Sequence, residues 1–185
     1  MMSFKDGTRI ILGELERTLG AVDEAAVERA IALIGDADKI FLHALGRAGF
    51  AGRSLVMRLM HMGREVYVLG ETNTPNFGPD DLLIICSGSG ATKQFVDTAT
   101  KAKGFGGKVL LFTATKDSPL GQIADAEIVI EAPSKRQSDS EFASIQPMAS
   151  LFEQSILLIG DAMVLAMMER SVTGEAMFRR HSNLE

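Results

Sequence analysis

Residues 82–103 read LLIICSGSGATKQFVDTATKAK, and no other stretch restricts the possible folds as much. Leu82-Leu83-Ile84-Ile85-Cys86 is an unbroken apolar run, the pattern of a strand buried on both faces of a parallel sheet. It stops at Ser87-Gly88-Ser89-Gly90-Ala91-Thr92, after which Phe95, Ala99 and Ala102 recur on one side of a helix and lysines on the other. Strand, small-residue loop and helix in that order set unpaired helix N–H groups beside an anion. Gly88 and Gly90 let the backbone approach a ligand closely, and the hydroxyls of Ser87, Ser89 and Thr92 add donors without bulk. The expectation is a phosphate-bearing ligand held by residues 87–92. The plainer alternative is a strand-to-helix turn that happens to be rich in Ser and Gly.

The remaining strands follow from similar patterns. Lys39-Ile40-Phe41-Leu42-His43, Glu65-Val66-Tyr67-Val68-Leu69, Lys108-Val109-Leu110-Leu111-Phe112-Thr113 and Glu127-Ile128-Val129-Ile130 read as strands one, two, four and five. A helix is expected from about Phe50 to Met62, ended by Gly63. Strands alternating with helices predict an α/β three-layer sandwich with a five-stranded parallel sheet, its crossovers right-handed. The loops after strands one, two and three then share the sheet's C-terminal edge, where open α/β sheets bind ligands. Ahead of the sheet, residues 3–20 read as a helix through Ile10, Ile11, Leu15 and Leu19, and Asp23 is a candidate N-cap for a second helix to about Ile34. Residues 132–146 are too polar and irregular for an element and suit a loop closing over a site. A nearly all-apolar helix is expected from Pro147 to Ser171, buried on several sides and partly in a subunit interface. A short helix in the tail completes the pattern.

The size of 185 residues suits one domain rather than two. The net charge of -5, without a basic stripe, argues against nucleic acid as a partner. A lone cysteine, Cys86, excludes an intramolecular disulfide, and no metal-ligand spacing surrounds it. The N-terminus lacks a basic region followed by a long apolar core, so no signal peptide is expected. The longest apolar tract, residues 156–168, reads as too short to span a bilayer. A cytoplasmic protein without membrane attachment is the expectation.

Among residues able to do chemistry, Glu153 stands out near the start of the apolar helix. A desolvated carboxylate there suits a general base working near neutral pH, while a helix-start glutamate favouring the dipole is the plainer reading. Arg47, between Gly46 and Gly49 at a helix entrance, is placed for a phosphate or an oxyanion, or is a surface arginine. Glu71 and Thr72 follow strand two and suit a polyhydroxylated ligand; turn chemistry around Asn73 and Pro75 competes. His43 ends strand one and reads as packed. His61 closes its helix on the order of 15 Å from its own phosphate loop, so a neighbouring subunit's site is the one it can serve. His181 alone reads as a solvated tail residue. Residues 44–49, ALGRAG, form a damaged GxGxxG, and Glu71 sits where a ribose-binding acid would. The missing first glycine, and a second phosphate-type loop with no task in that scheme, weigh against a dinucleotide. Two loops converging on one phosphomonoester fit better.

Together the motifs resemble the 6-phospho-3-hexuloisomerase family of the sugar isomerase (SIS) domain superfamily. The resemblance lies in GRAGFAGRSLVMRLMHMG (46–63), GETNTP (70–75), SGSGAT (87–92), SPLGQIAD (118–125), QPMASLFEQS (146–155) and MFRRHSNLE (177–185). It implies a single flavodoxin-like SIS domain over residues 1–185: N-terminal helices over 3–36, an α/β core over 39–131 and C-terminal helices over 147–180. It implies a homotetramer with sites at subunit contacts, and a cofactor- and metal-free isomerase of D-arabino-3-hexulose 6-phosphate and fructose 6-phosphate. That reaction follows a 3-hexulose-6-phosphate synthase in the ribulose monophosphate route of formaldehyde fixation. Carried over by position, Gly46, Arg47, Ser87, Gly88, Ser89, Gly90 and Thr92 hold the phosphate end. Glu153 is the acid/base, assisted by Arg47 and a histidine, His61 or His181. The family pattern GAGRSG departs here at Ala48, where a serine hydroxyl is expected; one neutral hydrogen bond fewer costs about 1 kcal/mol, so weaker binding rather than lost activity is implied. Alternatives from the same residues are an SIS-type isomerase of another sugar phosphate and a non-catalytic sugar-phosphate-binding module.

Overall fold

A computed structural model describes residues 1–133, 143–171 and 173–184. Strands β1 (Lys39–Ala44), β2 (Glu65–Val68), β3 (Leu82–Cys86), β4 (Lys108–Thr113) and β5 (Ala126–Val129) form one parallel sheet in the order β2-β1-β3-β4-β5. The chain runs outward from β1 to β2, returns to β3, and continues to β4 and β5. Its direction therefore reverses between β1 and β3, and the crevice beyond their C-terminal ends is where such sheets take ligands.

Two apolar clusters make the layers. Ile40, Leu42, Ile84, Cys86, Leu110 and Phe112 face helices α2 (Glu24–Asp36), α3 (Gly46–His61) and α5 (Ser150–Ser171). Phe41, Leu83, Ile85, Val109 and Leu111 face α4 (Lys93–Gly104) and the turn at Leu120. The alternation follows from the two-residue side-chain period of a strand with both faces covered. Helix α1 (Phe4–Gly20) lies against α5, and α6 (Gly174–Phe178) against α3. The expected three-layer α/β sandwich is thus the observed architecture.

Boundaries moved where backbone conformation decides them. Helix α3 begins at Gly46, four residues earlier than periodicity suggested, because Gly46 at φ +60 turns the chain directly off β1. It then lies close on the sheet: a Cβ at Gly52 would stand 2.9 Å from Leu42 Cδ1. Helix α5 begins at Ser150 rather than Pro147, and Met148, at a left-handed φ of +56, lies in the turn ahead of it. Strands β1, β2 and β5 shift by single residues, and the second helix reaches Asp36. Asp23 caps that helix as expected, accepting from the Ala25 amide at 3.0 Å. Most of the segment expected to close over a site, residues 134–142, lies outside the described residues.

The expectation that the apolar tract is too short for a bilayer needs correction. Counted from Ser150 to Met168, the helix is long and apolar enough to cross one. Here α5 is the core helix packed along α3, and half of that window is buried. Leu157, Leu158 and Leu165 are left on its exposed side.

Candidate active site

The loop after β3 is held from behind by its carbonyls. The Gly88 carbonyl accepts from the Ala114 amide at 3.0 Å and the Thr115 hydroxyl at 3.0 Å, and the Gly90 carbonyl accepts from the Leu120 amide at 2.9 Å. Gly90 sits at φ +59, and a Cβ there would lie 2.1 Å from Ser118 Oγ, so only glycine fits against this support. With the carbonyls turned into the scaffold, the amides of Gly88, Ser89 and Thr92 have no hydrogen-bond partner among the described residues. Thr92 is the N-cap of α4, yet its hydroxyl makes no cap hydrogen bond. Ser89 and Thr92 are exposed, whereas Ser87 is buried. The loop gathers donors without partners among the described residues at a helix N-terminus, the chemistry of an anion cradle.

Helix α5 brings the carboxylate to it. Phe152, buried, packs behind the loop, with its ring 3.5 Å from where a Gly88 Cβ would stand. Glu153 is the next residue, its side chain only 13% exposed. Arg47, in the first turn of α3, donates through Nε to Glu153 Oε2 at 2.6 Å while its side chain stays 67% exposed. An open guanidinium holding a largely enclosed carboxylate keeps other N–H donors free for a second oxyanion. Gln154 Oε1, one residue on, and His43 Nδ1, near the end of β1, are buried without a partner among the described residues. Burial holds the His43 imidazole below its ordinary pKa, as expected of a packed histidine, and the ring sits edge-on to Phe95.

The other two histidines meet at the far end of α3. His61, buried, stacks on His181 with ring centroids 5.2 Å apart. Burial, then the charges of Arg58 and His181, hold His61 below its ordinary pKa. Arg180 fixes this corner by donating to the His61 carbonyl at 3.3 Å. His181 is exposed, as a tail residue was expected to be, and in addition stacks on His61. By helical rise the pair lies about 20 Å from Arg47 along α3.

Glu71 and Thr72 are exposed beyond β2, and Glu71 pairs with Arg53 at 2.9 Å. Turn chemistry holds there: the Thr74 hydroxyl donates to the Val68 and Glu71 carbonyls. Sequence reasoning did not anticipate that Phe152, Thr115 and Ser118 back the cradle, although Phe152 lies in the motif QPMASLFEQS and Ser118 in SPLGQIAD. Among the described residues no three His, Cys, Asp or Glu side chains gather as metal ligands.

The SIS domain model matches residues 33–164, which span the sheet, both loops and Glu153. The chain belongs to the SIS domain family. Among its SIS relatives, the 3-hexulose-6-phosphate isomerase of Bacillus subtilis is 40% identical over 176 residues, 95% of this chain and 95% of its own. That of Mycobacterium gastri is 36% identical over 95% of this chain and 88% of its own. A Methanococcus jannaschii crystal structure, from which a 3-hexulose-6-phosphate isomerase function was inferred, matches with a TM-score of 0.81 and 30% identity. It covers 97% of this chain and 99% of its own. A structure of the Vibrio vulnificus NanR protein complexed with ManNAc-6P has a TM-score of 0.74 at 20% identity. It covers 95% of this chain and 64% of its own, and it shows shared fold alone.

Proposed function

We propose that this SIS chain interconverts D-arabino-3-hexulose 6-phosphate and fructose 6-phosphate through an enediol. The observation that carries the reading is the Glu153 carboxylate. It is 13% exposed and held by Arg47 at 2.6 Å, one residue from the ring that packs behind the anion cradle. The phosphate docks on the amides of Gly88, Ser89 and Thr92 and the hydroxyls of Ser87, Ser89 and Thr92, with Gly46 and Gly90 shaping the two loops. This grip fixes C2 and C3 beneath Glu153.

Glu153 takes the proton from C2 of the 3-ketose, and the C2–C3 double bond forms as the C3 carbonyl oxygen gains a proton. The C2 hydroxyl then gives up its proton, and Glu153 returns one to C3, leaving the 2-ketose. One carboxylate serves both carbons, and no electrons leave the substrate. Arg47 faces the enediolate oxygens as charge builds on them. Glu71 and Thr72 hydrogen-bond the sugar's hydroxyl groups in this proposal. The stacked His61 and His181 carry protons between the two oxygens in the site of a neighbouring copy, which a homotetramer joined through α3 and α5 would supply. The exposed Leu157 and Leu165 on α5 suit that contact. The setting is cytoplasmic, downstream of a 3-hexulose-6-phosphate synthase.

The test is a coupled assay in which purified protein is offered both hexulose phosphates and, separately, other sugar phosphates. Interconversion of the pair is expected, with kcat lowered about 10²–10⁴-fold in Glu153→Gln. Ligand-dependent stabilisation without turnover would replace the isomerase by a binding module.

A further inference from the structure

Helix α1 carries a charged group that the proposed chemistry does not use. Glu14 is 8% exposed, and its carboxylate collects donors from three consecutive residues outside α1. The Ser144 hydroxyl reaches Oε2 at 2.7 Å, the Ile145 amide reaches Oε1 at 3.0 Å, and Gln146 Nε2 reaches Oε2 at 2.8 Å. Arg17 adds to the grip by donating to the Ala143 carbonyl at 3.1 Å. The hydrogen bonds hold the Glu14 carboxyl below its ordinary pKa even though burial opposes them, so the clamp is anionic at neutral pH.

The gripped segment leads into the helix that bears the base. Only Pro147, Met148 and Ala149 separate Gln146 from the start of α5. Met148 stands at φ +56, a conformation that residues with a Cβ keep only when the structure on both sides imposes it. On one side is the Glu14 clamp. On the other are Ala149, Leu151 and Phe152, all buried. The clamp and the core thus pull the turn taut from opposite ends, and the Glu153 amide donates back to the Ala149 carbonyl at 3.0 Å.

We propose that Glu14 is a positioning residue for the isomerisation: by gripping residues 144–146 it holds the left-handed turn at Met148 and so fixes the placement of Glu153 over the phosphate cradle. The inference rests on Glu153 being the proton carrier. Glu14 itself touches no reacting atom.

Glu14→Gln keeps the side chain's shape but sets an NH2 group against partners that donate. Its kcat is expected to fall about tenfold or more with KM changed less than about threefold, since a shift of the base loses alignment rather than phosphate binding. Adding Met148→Gly should recover part of that kcat, because glycine takes the left-handed turn without being held there. If Glu14→Gln lowers Tm but the folded enzyme keeps its kcat, or if Met148→Gly recovers nothing, the inference is overturned. Should Glu14→Gln fail to fold, Ser144→Ala removes one donor of the three and is read by the same kcat criterion. Glu153→Gln is assayed alongside. If it retains turnover, the reading of Glu153 fails and the inference with it; if it is inactive while Glu14→Gln is unimpaired, the inference alone fails.

Discussion

Helices α1, α2 and α6 begin beneath side-chain caps at Ser3, Asp23 and Thr173, whereas α3 and α4 begin at Leu45 and Thr92 with no side-chain cap. A good N-cap is worth about 1 kcal/mol, so a chain that uses the device three times forgoes it at two other helices. The capped starts belong to the N-terminal pair and the tail. The uncapped starts stand together at the sheet's C-terminal edge, on either side of the reversal between β1 and β3. Thr92 has the side chain to cap α4 and does not use it. On the proposed reading, the difference separates helix ends that serve the fold from helix ends whose donors are kept for an anion.

The strongest way to break this contrast is Thr92→Asp. An aspartate caps α4 and carries a negative charge into the cradle, so thermal stability should rise while KM increases about 10²-fold or more from like-charge repulsion of the phosphate. Calorimetry and steady-state kinetics on one preparation read both effects; a variant that binds substrate normally would show that the cradle is only a turn. Gly90→Ala comes next. Strain at φ +59 and overlap with Ser118 should cost about 3 kcal/mol or more by urea unfolding, together with loss of phosphate binding. At a capped start the effects separate the other way. Asp23→Ala should lose about 1 kcal/mol of stability and leave kcat/KM unchanged.

The smallest expected effect is in the pH dependence of stability. Burial holds the buried His43 below its ordinary value of 6.5, so below that pH the unfolded chain binds a proton that the folded chain resists. Its contribution is complete above pH 6.5 and is lost as pH falls towards the folded value. His61 adds in the same direction. Glu14 adds a second loss below its ordinary 4.5 as its hydrogen-bonded carboxylate is protonated. Tm should drop between pH 7.5 and 5.5, and His43→Asn should flatten that slope.

What could be read in the sequence was local. The run at 82–86, the small residues at 87–92 and the Glu153 carboxylate near the start of an apolar helix each carry their meaning within a few neighbours, which sufficed for the sheet and for a candidate anion loop. What the residues' own spacing could not show depends on residues far apart in the chain. Arg47 meets Glu153 across 106 positions, a pairing that only the family resemblance implied; Ser144 meets Glu14 across 130, and His61 stacks on His181 because α6 folds back on α3. Backbone conformation was similarly silent: nothing in QPMAS marks Met148 as left-handed, and that residue moves the start of α5 from Pro147 to Ser150.

Proton transfer by Glu153 is tested most directly by solvent exchange. Fructose 6-phosphate incubated with the enzyme in D2O should gain deuterium at C3, since the enediol recovers its proton from a carboxyl group that exchanges with water. Glu153→Gln should neither label C3 nor form the 3-ketose, while still binding the sugar phosphate. Label entering C3 at the unmodified rate in Glu153→Gln would show that another group carries the proton and would contradict the assignment.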